Sequence, residues 1–343
     1  MKKVIPFFLS AILCILVISA IHYRELVGYG IAQLKGQLHI VMNAVPVEEV
    51  IANPATTDSI KKKLLLIGEI KKFAIDSLGL KNSKNYTTYF DQHEKPVLWV
   101  LTACKPFSME AYEWHFPFLG NVSYKGFFER EKGMPEDSLL RNRGYDTEYA
   151  PTGGWSTLGW FKDPILSNML HKNEGRLAEL IIHELTHATV YLPGSVDYNE
   201  NLATFVGEQG AIRFLKSKYG TDSLPLKNYL AIQEDENIFG EYMVAACKQL
   251  DSLYRRMPKV LSDSERQQMK YAKISSIFSG LQQLPLHHPE RYQFLIQENP
   301  PPNNAWFMAY KRYRNKQNDF HLLLDHSRGD LRLFINAIKE KAN

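Results

Sequence analysis

Residues 173–187, Asn173-Glu174-Gly175-Arg176-Leu177-Ala178-Glu179-Leu180-Ile181-Ile182-His183-Glu184-Leu185-Thr186-His187, decide how this chain is read. Asn173 suits an N-cap, because its short side chain accepts from the free N–H groups of a first turn. Leu177, Leu180, Ile181, Leu185 and Ala188 then recur near the helical period, so a helix is expected from Asn173 until Pro193-Gly194 breaks it. Within it His183 and His187 are four residues apart, hence on one face on successive turns, close enough to share a cation. Neutral imidazole nitrogen suits zinc. Glu184, beside the first histidine, can lean over an open coordination position, take a proton from an attacking water and later give it to a leaving amine.

A catalytic zinc takes three protein ligands and keeps one position open, so a third ligand is needed. A second helix is expected from near Tyr198 to about Tyr219, and it opens with Asn199-Glu200-Asn201-Leu202-Ala203. Glu200 is the expected ligand: the chain between His187 and Glu200 is long enough for the first helix to end and turn back. Glu208 is its rival. Residues 200, 204 and 208 stack on one helical face, so Glu208 is placed either to ligate or to orient an imidazole from behind. Structural histidines and a solvated acidic face are the plain alternatives. For the donor that would stabilise a tetrahedral intermediate, Tyr145, Tyr149, Tyr191, Tyr198, Tyr310 and Tyr313 are candidates, although aromatic packing explains any single one of 18 tyrosines. Trp155 to Trp160 reads as an edge strand able to pair with an extended peptide, or as core.

The rest of the composition narrows the class. With 343 residues, 45% hydrophobic and 23% charged, the chain is an ordinary globular one. A net charge of +4 with no basic cluster interleaved with aromatics excludes a nucleic-acid partner. Cys14, Cys104 and Cys247 form no Cys-x-x-Cys pair, which excludes a thiolate zinc site or a redox pair of that type. Cys104 and Cys247 are expected to be buried free thiols, a disulfide between them being the other reading. Lys2 and Lys3 precede an apolar run from Val4 to Ile21, broken only by Pro6, Ser10 and Ser19. Residues 1–24 therefore read as an uncleaved single-pass anchor in the inner membrane, with everything after it facing the periplasm or exterior. A removed signal peptide is the alternative, but Ile18 stands where cleavage after Ala20 needs a small residue.

Outward from the motif, helices are expected over Tyr29–Ile51 and Thr57–Leu80, stopped by Pro54 and Gly79. Runs such as Val97–Thr102 and Tyr112–Phe116 suggest a small sheet within residues 81–170. Ser262 and Glu265 have capping-box spacing, Pro285–Pro302 reads as an extended connector, and Asp330 begins a last amphipathic helix. The expected arrangement is one catalytic domain over residues 25–343: helical to 80, sheet and loops to 170, motif and ligand helices over 173–219, and a helical remainder.

Several stretches together resemble a known family. They are Gly36-Gln37-Leu38, Ala52-Asn53-Pro54, Trp114-His115-Phe116-Pro117, Tyr124-Lys125-Gly126-Phe127-Phe128 and Ser156-Thr157-Leu158-Gly159-Trp160-Phe161. Asp163-Pro164, the His183–His187 motif, Asn199-Glu200, Asn303-Asn304-Ala305, Tyr310 and Tyr313 complete the set. In these the chain is similar to a bacterial family of predicted zinc aminopeptidases with a gluzincin-like His-Glu-x-x-His site. The resemblance implies an α+β fold with a zincin-like core, one Zn2+ on His183, His187 and Glu200, Glu184 as general base and acid, and a peptide or protein substrate. Two departures stand out: the region Ile21–Tyr29 lacks the cysteine by which many relatives are lipid-anchored, and Ser108-Met109-Glu110-Ala111 only partly matches the amine-binding motif of a well-known aminopeptidase family. A membrane-anchored endopeptidase of exported proteins, and a catalytically idle metal-binding scaffold or chaperone, are the competing functions.

Overall fold

The computed structural model describes residues 23–116, 120–152, 162–258, 260–298, 301–311 and 317–342. Val4–Ile21 and Trp155–Trp160, with the anchor and edge-strand readings placed on them, lie outside the described residues. Among the described residues no helix is long and apolar enough to cross a membrane. The chain divides into two compact units, residues 1–43 and 44–343. The first contains α1 (Arg24–Asn43).

The second unit opens with β1 (Val45–Pro46), α2 (Val47–Ala52) and α3 (Asp58–Asp76). The single helix expected over Tyr29–Ile51 is thus two helices with a strand between them. Pro46 is the reason: it lacks an N–H and cannot extend a helix, but it fits where one begins. Thr57 caps α3 by accepting from Ile60 N, and Gly79 leaves it with a φ of 72° that a side chain would resist.

The middle of the chain holds β2 (Thr88–Phe90), β3 (Leu98–Cys104), β4 (Trp114–Phe116), β5 (Gly120–Val122), β6 (Lys125–Phe127), α4 (Arg130–Asn142), β7 (Asp146–Thr152) and β8 (Ile165–Leu166). These strands form three small sheets rather than the one expected: β1-β2-β8, β6-β3-β7 and the β4-β5 hairpin. Six of these eight strands have only two or three residues. Only β3 and β7 are longer, and they pair antiparallel from Leu98↔Thr152 to Cys104↔Asp146. β2 and β8 run parallel, Tyr89 opposite Ile165, so residues just before each lie side by side.

A short 3-10 turn (Ser167–His171) leads into α5 (Glu174–His187), followed by α6 (Val196–Tyr219), α7 (Leu224–Arg256), α8 (Asp263–Gly280), α9 (Gln293–Gln297), α10 (Asn304–Lys311), α11 (Gln317–His326) and α12 (Leu331–Ala342). Asn173 caps α5 as expected, accepting from Arg176 N at 2.9 Å. The helix ends at His187, well before Pro193. Thr189 ends it instead: its N–H returns to Thr186 O at 2.9 Å and its Oγ1 donates to Leu185 O at 2.6 Å, so the last carbonyls are satisfied without another turn. The Ser262–Glu265 capping box forms. The connector expected over Pro285–Pro302 is not extended throughout. It contains a 3-10 turn (Pro289–Tyr292) and α9, because the buried Asp235 carboxylate accepts from His287 N and His288 N (2.6 and 2.8 Å) and folds the chain in.

The core is organised around α5. Leu177, Ile181, Ile182 and Leu185 are completely buried, each stabilising the fold by about 1.5–3 kcal/mol. α5 packs along α6 more extensively than any other two elements pack, and also against α3 and α7. A further cluster joins β3 to the helical C-terminal part through Cys104, Met243, Leu250, Ile274 and Phe307. Cys104 and Cys247 are both buried thiols not joined in a disulfide, donating to Ser108 O at 3.2 Å and to Phe307 O at 3.4 Å.

Candidate metal centre

α5 and α6 approach very closely. A Cβ added at Gly207 of α6 would stand 2.9 Å from the Glu179 carbonyl oxygen and 3.2 Å from His183 Cβ of α5. This contact sets the side chains of α6 beside the histidine face of α5. His183 Nε2 and His187 Nε2 are 3.2 Å apart, and their rings meet edge to face. Glu200, from the second turn of α6, places Oε2 at 3.5 Å from His183 Nε2 and Oε1 at 3.4 Å from His187 Nε2. Two ligands held 2.0–2.1 Å from a tetrahedral ion are about 3.3 Å apart, so this donor set fits a zinc-sized cation. The side chains are 20%, 14% and 54% exposed, so the point on which they converge is open to solvent. Among the described residues no other group of three His, Cys, Asp or Glu side chains converges in this way. Glu208 does not join the cluster. It lies two turns further along α6, where its charge acts on the Tyr229 phenol.

The electrostatics of the site follow from burial and proximity. Burial raises the Glu184 pKa, the two histidines pull it back, and Asp163 and Glu200 push it up again, leaving it above the ordinary carboxylate value. Hydrogen bonding to His183 and His187 holds Glu200 well below that value. For His187 burial acts downward, but the hydrogen bond and charge of Glu200, with the charge of Glu184, outweigh it and raise the pKa. Asp163, itself buried, precedes β8 beside the start of β2: Tyr86 N donates to its carbonyl at 2.7 Å, and Asn85 Oδ1 accepts its N–H at 3.3 Å. Tyr86 has a φ of 61°, a strained value for a bulky residue. Its phenol is pushed well up by burial and by the charges of Glu184 and Asp163.

The start of α5 is fixed by a polar network that sequence reasoning missed. Arg176 bridges Glu179 and Glu236, and Glu179 Oε2 also accepts from Tyr229 OH at 2.8 Å. The Tyr229 ring lies against Gly175, where any Cβ would come within 2.4 Å of it. No local pattern marks these partners, since Glu236 and Tyr229 are more than 50 residues from Arg176 and Gly175.

A cavity of about 730 Å³ elsewhere in the molecule is lined by Lys63, Tyr89, His93, Asn168 and His171, among others, and by none of His183, Glu184, His187 or Glu200. The chemistry therefore marks a different place from the cavity. A family model described as Putative aminopeptidase matches residues 28–343. The chain belongs to that family. No curated protein and no solved structure matches it.

Membership in an aminopeptidase family supports a peptidase function and directs attention to the remaining peptidase groups. Glu110, the amine-binding candidate, is exposed and ion-paired with Lys105. Of the tyrosines, Tyr149 donates its hydroxyl to Arg130 O at 2.8 Å, Tyr145 packs on Tyr112, and Tyr310 lies against Phe239 and Trp306. Tyr198 packs on Phe320, whereas Tyr191 is 48% exposed in the connection between α5 and α6. Tyr313 lies outside the described residues.

Proposed function

We propose that the chain is a zinc-dependent aminopeptidase with a zincin-like core, in which His183, His187 and Glu200 hold one ion and Glu184 is the general base and acid. The observation that carries this reading is the mutual spacing of 3.2–3.5 Å among two imidazole nitrogens and a carboxylate brought from separate helices. Zinc, when bound, supplies Lewis acidity, activating a water and polarising the scissile carbonyl. His183 and His187 would hold the ion through the lone pair of Nε2, so binding of the ion displaces any proton carried there. Glu184 takes a proton from the attacking water as oxygen bonds to the carbonyl carbon, then delivers it to the amine nitrogen as the carbon–nitrogen bond breaks. Lys2, Lys3 and the apolar Val4–Ile21 support attachment to the inner membrane with the catalytic part exported.

The test uses metal analysis and hydrolysis of aminoacyl chromogenic substrates on the purified chain. Glu184→Gln should keep stoichiometric zinc and lose turnover, and Glu200→Ala should lose the zinc. Full activity in Glu184→Gln removes that residue from the mechanism. Cleavage of amino-blocked peptides at undiminished rate would make the enzyme an endopeptidase, because an exopeptidase requires the free amine.

A further inference from the structure

Half of the twelve residues between the second histidine and Glu200 are exposed, yet Glu200 has to arrive at a defined place. Tyr191 and the stretch from Pro193 to Asp197 lie on the surface, and Gly194 turns the chain with a φ of 75°. Ser195, at the N-cap of α6, makes no side-chain cap. In its place a residue inside the helix holds the loop. Asn199, 2% exposed, accepts from Leu192 N through Oδ1 at 2.9 Å and donates from Nδ2 to Leu192 O at 2.8 Å. One amide thus satisfies both backbone groups of one residue, as a neighbouring strand would.

Asparagine is a poor helix former, and burying its amide is costly unless its hydrogen bonds are made. Its use in the second turn of α6 therefore calls for a reason beyond helix formation. Glu200 is the next residue, about 100° further round the helix. Fixing Asn199 to Leu192 consequently fixes both how far α6 has advanced toward His187 and its rotation about its own axis. We propose that Asn199 is a positioning residue whose latch on Leu192 pre-forms the three-ligand arrangement before any cation arrives. This rests on the reading of His183, His187 and Glu200 as a metal site. Asn199 touches neither the histidines' ring nitrogens nor the point between them. It acts by removing the freedom that Glu200 would otherwise lose on binding, the general route by which preorganisation strengthens affinity.

The experiment measures zinc affinity by competition with a chelating indicator, and the visible spectrum of the cobalt-substituted chain, for wild type, Asn199→Ala, Asn199→Asp and Tyr254→Phe. Tyr254→Phe removes a buried hydrogen bond to Asn304 within the cluster that joins β3 to the C-terminal helices, which contains none of the three ligands, and serves as a destabilised control. Asn199→Ala should weaken zinc by about 10–100-fold, the usual range for loss of a group that orients a ligand, and alter the tetrahedral cobalt bands. Asn199→Asp keeps the acceptor for Leu192 N but sets an oxygen against Leu192 O, so it should show an intermediate loss. Tyr254→Phe should match wild type in both. The Leu192 amide should also be protected from hydrogen exchange in the metal-free wild type. If Asn199→Ala does not fold, Asn199→Asp and the Leu192 exchange rate decide. Wild-type affinity and spectrum in the Asn199 variants, or an unprotected Leu192 amide, would overturn the proposal and leave the metal site standing. A wild-type chain that takes up neither zinc nor cobalt would instead overturn the metal-site reading itself.

Discussion

Replacing Gly207 with alanine tests whether the proposed metal site depends on the close approach of α5 and α6. The new Cβ would lie 2.9 Å from Glu179 O, where ordinary contact begins at 3.4 Å, so the helices must separate by about 0.5 Å. Neither Glu179 O nor His183 Cβ can rotate aside, being backbone or attached directly to it. Overpacking of this kind costs about 1–3 kcal/mol, whereas alanine in place of glycine inside a helix returns about 1 kcal/mol. The net loss is then roughly 0–2 kcal/mol, or at most about 8 °C in Tm at roughly 2–4 °C per kcal/mol. Function should suffer more. Glu200 is seven residues from Gly207, two turns back on the same face, so a 0.5 Å separation carries its 3.4–3.5 Å contacts to about 4 Å, beyond the roughly 3.3 Å edge of a tetrahedral site. Zinc affinity, read by chelator competition, should fall by about 10-fold or more while the metal-free protein still melts cooperatively. Gly68→Ala in α3 is the matched control, because a Cβ there meets nothing within 4 Å and should only stabilise. The reasoning fails if Gly207→Ala gains stability as Gly68→Ala does and binds zinc like wild type.

Two further predictions concern stability. Lys270 is wholly buried and is ion-paired with Asp146, which also accepts from Asn304 N at 2.9 Å. Lys270→Met should therefore cost about 3–5 kcal/mol in urea unfolding by stranding the Asp146 carboxylate, and Lys270→Met with Asp146→Asn should recover much of it; equal losses in the single and double variants would show that the pair is not what matters. The hydrogen bonds from Ser262 lower the Glu265 pKa below its usual 4.5. A depressed folded pKa means the cap's contribution is present above about pH 4.5 and disappears as pH falls through the lower folded value. The Tm gap between wild type and Glu265→Gln should accordingly be widest near neutrality and close on acidification, and a gap that grows in acid would contradict the assignment.

Much of the helical structure was legible because its causes are local. Asn173, Thr57 and Ser262 bond the N–H groups three residues on, so residue type and spacing suffice to place those starts. The same locality puts His183 and His187 on one face. Elements governed by distant partners were misread. Pro46 divides a helix whose apolar stripe looks continuous, and β1 exists because β2 is there to pair with it. The 285–302 connector folds inward because of Asp235, some 50 residues earlier.

By itself, the sequence determined the helices and the two imidazoles four residues apart, since backbone geometry at fixed spacing leaves little else possible. Only the tertiary structure decided that Glu200, not Glu208, meets both rings. That choice depends on how closely α6 lies on α5 at Gly207 and where Asn199 grips Leu192, contacts between residues whose spacing along the chain carries no geometric signal.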